Sequence, residues 1–320
     1  MDKVVITGAT GFLGRNLTSC FLERGAEVTV LVRKESAGRA LLPVHDKLRI
    51  VETGMEDVLS HLDDIGPADG WFHFAWGGVN RQEIDSPEVQ ERNIRGSLNC
   101  VEAARRLGCQ VFMDAGSRVE YGVTNEIMAE TLECHPINEY GKAKLKFFEK
   151  AAPLCQQYGM NYCHLRFFSV YGFGDHPWSV ISTLTRELRK GNTVSLSACL
   201  HKWNFMYIDD AVEAVVRLYE REKIREFHKP QAVNIASRDT RVLKEFVEEV
   251  RQIAGGGILQ YGTFVQAKEG ALSICPDVGR MEEMTGGFQE KYTFHQGITE
   301  TIKKEMEHEY EETQHTDSML

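Results

Sequence analysis

Three glycines placed directly after a β-branched run constrain this chain more than any other feature. Val4-Val5-Ile6 reads as a buried strand that ends at Thr7-Gly8. The segment Gly8-Ala9-Thr10-Gly11-Phe12-Leu13-Gly14 carries it into a helix whose apolar positions, Leu13, Leu17 and Phe21, repeat at helical spacing up to Gly25. In that context each glycine has a task. One turns the chain tightly, one lets backbone N–H groups approach a pyrophosphate, and one lets the helix pack closely on the strand. The helix N-terminus then offers unpaired N–H donors to an anion. Gly8, Thr10, Gly11, Phe12 and Leu13 are therefore predicted to hold a dinucleotide.

The alternation continues beyond this unit. Strand patterns at 28–32, 48–51 (a weak one), 70–75, 111–113 and 164–168 are separated by helical patterns, the longest at about 87–107 and 138–158. Short apolar strands alternating with amphipathic helices predict an α/β fold, a doubly wound parallel Rossmann sheet. Its domain is placed at 1–170, completed by segments near 204–218 and 231–237. Glycines, aromatics and prolines loosen the rhythm afterwards. Residues 171–304 are placed mostly in a smaller C-terminal α/β domain that binds substrate. The tail 305–320 holds six acidic residues and scarcely an aliphatic one, which predicts disorder.

Composition excludes several classes. The chain has 320 residues, 42% apolar and 26% charged, as expected of a globular protein with a large core. A net charge of −10 argues against nucleic acid as a partner. No apolar run reaches the ~20 residues of a bilayer span. Met1-Asp2-Lys3 leads straight into a strand pattern, without the apolar stretch and cleavage site of a secretory signal, so a cytoplasmic location is expected. Eight scattered cysteines form no CxxC pair and are read as reduced and mostly buried. Eleven histidines show no ligand spacing, so no metal is expected.

The second strand ends in Arg33-Lys34. Sites for NAD usually carry an acidic residue there, to accept hydrogen bonds from ribose hydroxyls. Two cations suit a 2′-phosphate instead, so NADP(H) is expected, with NAD as second choice. Farther on, Tyr140 and Lys144 stand four apart on a predicted helix and share a face. A free tyrosine titrates near 10, too high for acid–base work at neutrality, and a neighbouring ammonium lowers it. Ser117 follows the fifth strand, where an open α/β sheet presents residues to its ligand crevice. Ser117, Tyr140 and Lys144 together predict proton transfer coupled to hydride transfer.

These residues carry a resemblance. The chain resembles the extended short-chain dehydrogenases/reductases of the NAD-dependent epimerase/dehydratase type from Val4 to about Ile302. The glycine turn matches the family's opening signature. His73-Phe74-Ala75-Trp76 stands where the family has a His-Leu-Ala-Ala stretch beside the cofactor, and Asn93-Ile94-Arg95-Gly96-Ser97 resembles its Asn-x-x-Gly-Thr segment. Gly116 to Gly122 resembles the serine-bearing loop, and Arg166 to Gly172 the following strand and turn, with Ser169 in place of Asn. Asn204 to Asp210 and Pro276 to Arg280 resemble two later landmarks. The resemblance implies Tyr140 as acid/base, Lys144 as its helper and Ser117 as an orienting donor. It adds Met55, Ala75, Trp76, Asn93 and Phe167 to the cofactor contacts. It implies a nucleotide-sugar substrate touching Trp76, Ser117, Arg118, Ser169 and Trp203, and a homodimer built on the two long helices.

Departures narrow the reading. The 4,6-dehydratases of the family carry Asp-Glu directly after the catalytic Ser/Thr, and here those positions are Arg118 and Val119, which argues against dehydration. Trp203 and Ala267 stand where relatives often place arginines that grip the substrate diphosphate, leaving Arg186, Arg189, Lys190, His201, Lys202 or Lys268 to compensate. With Arg33 favouring NADPH, the expected activity is reduction of a nucleotide-activated 4-keto-6-deoxy sugar. The alternative is a nucleotide-sugar 4-epimerase with retained NAD. A lesser one is a non-catalytic, cofactor-sensing binding protein on the same fold.

Overall fold

In the computed structural model, residues 2–80, 82–263 and 273–317 are described. Val4, Val5 and Ile6 form the middle of β1 (Lys3–Thr7), buried on both faces as a continuous β-branched run requires. The glycine turn leads into α1 (Phe12–Glu23), and β2 (Glu27–Val32) returns parallel to β1. β3 (Leu48–Glu52) is the edge strand beside β2, with only Val51 buried, and its one-sided exposure explains its weak pattern. A single turn, α2 (Leu62–Ile65), precedes β4 (Gly70–His73). Then come α3 (Pro87–Arg106), β5 (Val111–Ser117), α4 (Glu139–Tyr158) and β6 (Asn161–Phe167). β5 runs four residues past the apolar stretch 111–113, through Asp114 and Gly116, polar or small positions that periodicity alone does not assign to a strand.

The remaining elements are β7 (Ser169–Tyr171), α5 (Val180–Arg189), β8 (Thr193–Ser195), β9 (Lys202–Tyr207) and α6 (Ile208–Ile224). They continue with β10 (Gln231–Ile235), β11 (Thr240–Val242), α7 (Leu243–Ala254), β12 (Ile258–Gln260), α8 (Gly279–Met284) and α9 (Phe294–Asp317). The main sheet has seven parallel strands in the order β10-β6-β5-β4-β1-β2-β3. β1 lies between β2 and β4, so the direction of winding reverses there and the carboxyl ends of β1 and β4 open a crevice. Val4 and Ile6 face one core layer with Leu17 and Phe21 of α1 and Val215 and Tyr219 of α6. Val5 faces the other, with Ile94 and Val101 of α3 and Phe147 of α4. A second sheet, β11-β9-β7, and the pair β12-β8 belong to the C-terminal portion.

Of the tail expected to be disordered, residues 305–317 are helical, and 318–320 lie outside the described residues. α9 continues through Asp317, and Arg189 of α5 pairs with Glu305 at 3.3 Å and Glu309 at 2.9 Å, while Thr185 donates to Glu305 at 3.0 Å. Local composition carries the charge of these glutamates but not the arginine that meets them across the fold. Among the described residues no helix is long and apolar enough to cross a membrane. All eight cysteines are free.

Candidate active site

The glycine turn is held by contacts that leave no room for a side chain. Gly8 has a left-handed φ of +72°, and a Cβ there would stand 2.4 Å from the Phe74 carbonyl carbon. A Cβ on Gly14 would stand 2.3 Å from the Gly8 carbonyl oxygen. Gly14→Ala therefore pushes α1 away from the turn. It should cost about 1–3 kcal/mol, read as a lower urea midpoint with an unchanged slope. Gly11 caps α1 without a side-chain hydrogen bond, and no acidic residue stands in the first turn. The first N–H groups of α1 are thus left to an anionic ligand at the positive end of the helix. These residues fit a dinucleotide's diphosphate. Ser36 Oγ donates to Thr10 Oγ1 at 3.1 Å, placing the turn after β2 against the glycine loop. Arg33 and Lys34 lie exposed just beyond β2. Met55 packs on Gly96 of α3, where a Cβ would stand 2.8 Å from its own Cβ.

A buried relay shapes the loop after β4. Thr7 Oγ1 accepts from the Phe74 and Ala75 amides at 3.1 and 3.2 Å, so its proton goes to His73 Nδ1 at 2.9 Å. His73 Nε2 therefore carries the ring proton and donates to Ser97 Oγ at 2.8 Å. Burial pulls His73 down to about 3, so the ring is neutral, as this tautomer needs. Asn93, expected as a cofactor contact, has its side-chain amide engaged within the chain. Its Nδ2 donates to Gly77 O at 2.8 Å and Gln90 Oε1 at 3.2 Å, and its Oδ1 accepts from Gly77 N at 2.9 Å. With its amide so engaged, Asn93 fixes the loop that carries Ala75 and Trp76. Trp76 Nε1 donates to Gln90 at 2.9 Å. Phe167, at the end of β6, is buried edge-on against Phe74, 5.7 Å between centroids.

Ser117, Tyr140 and Lys144 come together beside Trp76. Ser117 ends β5 and caps the 3-10 turn Arg118–Tyr121. Its Oγ accepts from the Val119 amide at 3.4 Å, and its own N–H donates to Glu120 at 2.7 Å. Asn138 caps α4, which puts Tyr140 in the first turn and Lys144 one turn later. Lys144 Nζ donates to Ala115 O at 2.5 Å and lies 3.7 Å from the Trp76 ring centroid. It lies 5.7 Å from the Tyr140 centroid, and the Trp76 and Tyr140 rings meet edge-on at 6.3 Å. Burial lowers Lys144 to about 8. Tyr140 behaves opposite to the expectation from spacing. Burial, then the Glu120 charge, raise its phenol above the usual range, against a hydrogen bond with Ser117. The ammonium serves the Ala115 carbonyl and the Trp76 face, while burial and the Glu120 charge favour the neutral phenol.

Below these residues lies a charge network that sequence reading missed. Asp114 and Glu120 flank His164, whose Nδ1 reaches Asp114 at 2.9 Å and Nε2 reaches Glu120 at 3.0 Å. Arg166 Nε donates to Glu120 at 2.9 Å and the Tyr162 hydroxyl to Asp114 at 2.9 Å. All four charged side chains are buried. Burial pulls His164 down, but the two carboxylates outweigh it and raise the ring to about 9, so it is an imidazolium. Gly116 makes room, since a Cβ there would stand 2.5 Å from His164 Nε2. The signal was present as Tyr162, His164 and Arg166 on one face of β6, with His164 paired to Asp114 in register. Alternating polar residues inside an apolar strand mark a buried polar layer.

The substrate-side residues gather where the two sheets meet. Ser169 opens β7 and pairs with Phe205 of β9. Arg118 reaches the face of Trp203, its Cζ 5.0 Å from the ring, and Trp203 meets His201 at 5.4 Å. Among the proposed compensating cations, Arg186 is engaged by Glu187 and Pro177 O, and Arg189 by the α9 glutamates. Ala267 and Lys268 lie outside the described residues. Among the described residues no group of three His, Cys, Asp or Glu side chains is placed to hold a metal.

A profile described as the NAD dependent epimerase/dehydratase family matches residues 4–236. The chain is 23% identical over 270 residues to UDP-glucose 4-epimerase of Corynebacterium glutamicum, covering 79% of this chain and 80% of that one. UDP-N-acetylglucosamine 4-epimerase from Methanobrevibacter ruminantium superimposes with a TM-score of 0.83 at 18% identity, over 96% of this chain and 99% of that one. UDP-glucose 4-epimerase of Thermus thermophilus, solved with NAD, gives 0.80 at 22% identity, over 94% and 98%. The two solved structures establish a shared fold, and the profile spans the glycine turn, both long helices and the strand β10 that closes the sheet. The chain belongs to the NAD dependent epimerase/dehydratase family.

Proposed function

We propose that the protein is a nucleotide-sugar 4-epimerase that retains NAD. The observation that carries this reading is a site with one proton-exchanging group. Tyr140 stands beside Ser117 and Lys144, while Arg118 is a cation, Val119 is apolar, and Glu120 is locked beneath by His164 and Arg166. Removal of water from a sugar needs a second acid and base; oxidation and re-reduction at one carbon needs a single one. Gly8, Gly11 and the α1 N-terminus would hold the dinucleotide, which when bound supplies a reversible hydride acceptor. Tyr140, acting as its phenolate, takes the proton of the sugar hydroxyl as the carbon is oxidised and returns it on re-reduction. Ser117 donates a hydrogen bond to the same oxygen. Lys144, pinned by Ala115, adds positive charge beside that phenolate.

The relatives support epimerisation and NAD over the NADPH-dependent reduction expected from Arg33. The similar proteins from Corynebacterium, Methanobrevibacter and Thermus are all named 4-epimerases, and the last was solved with NAD. Arg33 and Lys34 keep reduction as the second reading, since both are exposed where a 2′-phosphate would lie. The two separate cleanly. Purified protein should release NAD on denaturation and interconvert UDP-glucose and UDP-galactose, or their uronic acids, with no net change in NADH absorbance. NADPH consumed in proportion to sugar converted would replace the proposal with the reductase. A homodimer through α3 and α4 belongs to the same proposal, with light scattering as its test.

A further inference from the structure

Lys144 is a buried ammonium without a carboxylate of its own. The residue is only 3% exposed. Asp114 on β5 is taken by His164 and Tyr162, and Glu120 on the 3-10 turn by His164 and Arg166, so both act on Lys144 only through space. His73 on β4 is close enough to feel the lysine charge and is itself neutral. Tyr140 stands one turn before it on α4. Two contacts remain for the ammonium. One is the Ala115 carbonyl at 2.5 Å, and the other is the face of Trp76, with Nζ 3.7 Å from the ring centroid. An ammonium so close to an indole face is attracted by the negative charge of that face, most strongly where water is excluded.

The indole is fixed in place. Its Nε1 donates to Gln90 Oε1 at 2.9 Å, and Gln90, buried on α3, is itself held by donating to Gly78 O and Ile84 O, each at 3.3 Å. The rings of Tyr140 and Phe147 on α4 meet Trp76 edge-on, both at 6.3 Å. Gly78, with a φ of +68°, brings the loop against α3, where a Cβ would stand 2.5 Å from Val89 Cγ1. Three side chains from two helices thus set the plane of the indole. We infer that Trp76 is a positioning residue of the site: its π face stands in for a counterion and holds the Lys144 ammonium one helical turn from the Tyr140 phenol. Nζ lies 5.7 Å from the Tyr140 centroid, close enough for its charge to favour the phenolate. This rests on the proposed reaction only for the use made of that phenolate.

The test reads Lys144 itself. Lysine carrying carbon-13 at Cε is titrated by NMR in the protein as purified, with Lys144→Arg identifying the resonance. Burial lowers Lys144 to about 8. In Trp76→Leu it should bind its proton about tenfold more weakly again. In Trp76→Phe, which keeps a π face without the bond to Gln90, the loss should be smaller. Biosynthetic replacement of tryptophan by its mono- and trifluorinated forms keeps the shape and weakens the negative face, so proton affinity should step down along that series. The series stands even where Trp76→Leu folds poorly, and packing alone would not produce it. The basic limb of kcat/KM for UDP-glucose should move with the titration. A titration unmoved in Trp76→Leu or across the fluorinated series would overturn the inference, as would a basic limb that stays put while the titration moves. Failure of the epimerase reading appears elsewhere, as absent interconversion with the tryptophan-dependent titration intact.

Discussion

Tyr140→Phe should lower turnover by roughly 10²–10⁴-fold, the range for loss of a positioned acid/base, while the protein still binds its dinucleotide. In the chain itself burial and then Glu120 raise the phenol above its usual range, and each round of proton uptake and return leaves the group in its starting state. Phenylalanine keeps the ring that packs edge-on against Trp76 and removes only the proton. Removing one hydroxyl costs about 1 kcal/mol, so the thermal midpoint should shift by only a few degrees. Retained interconversion in a folded, NAD-loaded Tyr140→Phe would remove tyrosine from the mechanism. Ser117→Ala makes a useful control, because it leaves the proton carrier in place and should cost less than Tyr140→Phe.

The second large effect concerns stability. Glu120→Ala should destabilise the fold by about 3–5 kcal/mol, the usual penalty for removing one partner of a buried ion network. Glu120 is fully buried and accepts from Ser117 N, His164 and Arg166, so its loss leaves His164 with Asp114 alone and Arg166 without its carboxylate. Glu120→Gln keeps the shape and should cost less. The same network sets a pH dependence. His164 is raised from 6.5 to about 9, so its stabilisation is complete below pH 6.5 and is lost as pH rises toward 9. Lys144 acts in the opposite sense, being lowered from 10.5 to about 8, so its burden is relieved only above pH 8. His73 and His201 are both lowered, and their contributions are complete by pH 6.5. Between pH 6.5 and 8 the wild-type protein should therefore lose roughly 2 kcal/mol of unfolding free energy, and Glu120→Gln should lose less. Urea unfolding across that window is the measurement; equal slopes in the two proteins would mean that His164 is not held charged by Glu120.

Local pattern carried much of this protein. The opening strand, turn and helix were legible because β-branched burial, glycine geometry and helical periodicity are properties of consecutive residues. Val4 to Ile6, the turn from Gly8 to Gly14 and the helix after Phe12 all lie where those rules put them. Tyr140 and Lys144 were legible for the same reason, since four residues on a helix define one face. What required the tertiary structure was every feature made by residues far apart in the chain. Asp114, Glu120, His164 and Arg166 look like stray polar residues until β5 and β6 pair and the 3-10 turn folds Glu120 beneath Ser117. Lys144 could be placed near Tyr140 from spacing alone, but not its turn toward Ala115 and Trp76, nor the burial and the Glu120 charge that raise the phenol. The engagement of Asn93 by Gly77 and the pairing of Arg189 with Glu305 and Glu309 likewise join residues far apart in the chain. Sequence periodicity reports which faces seek burial; which charge meets which partner depends on long-range register, and on this fold that register determined the electrostatics of the site.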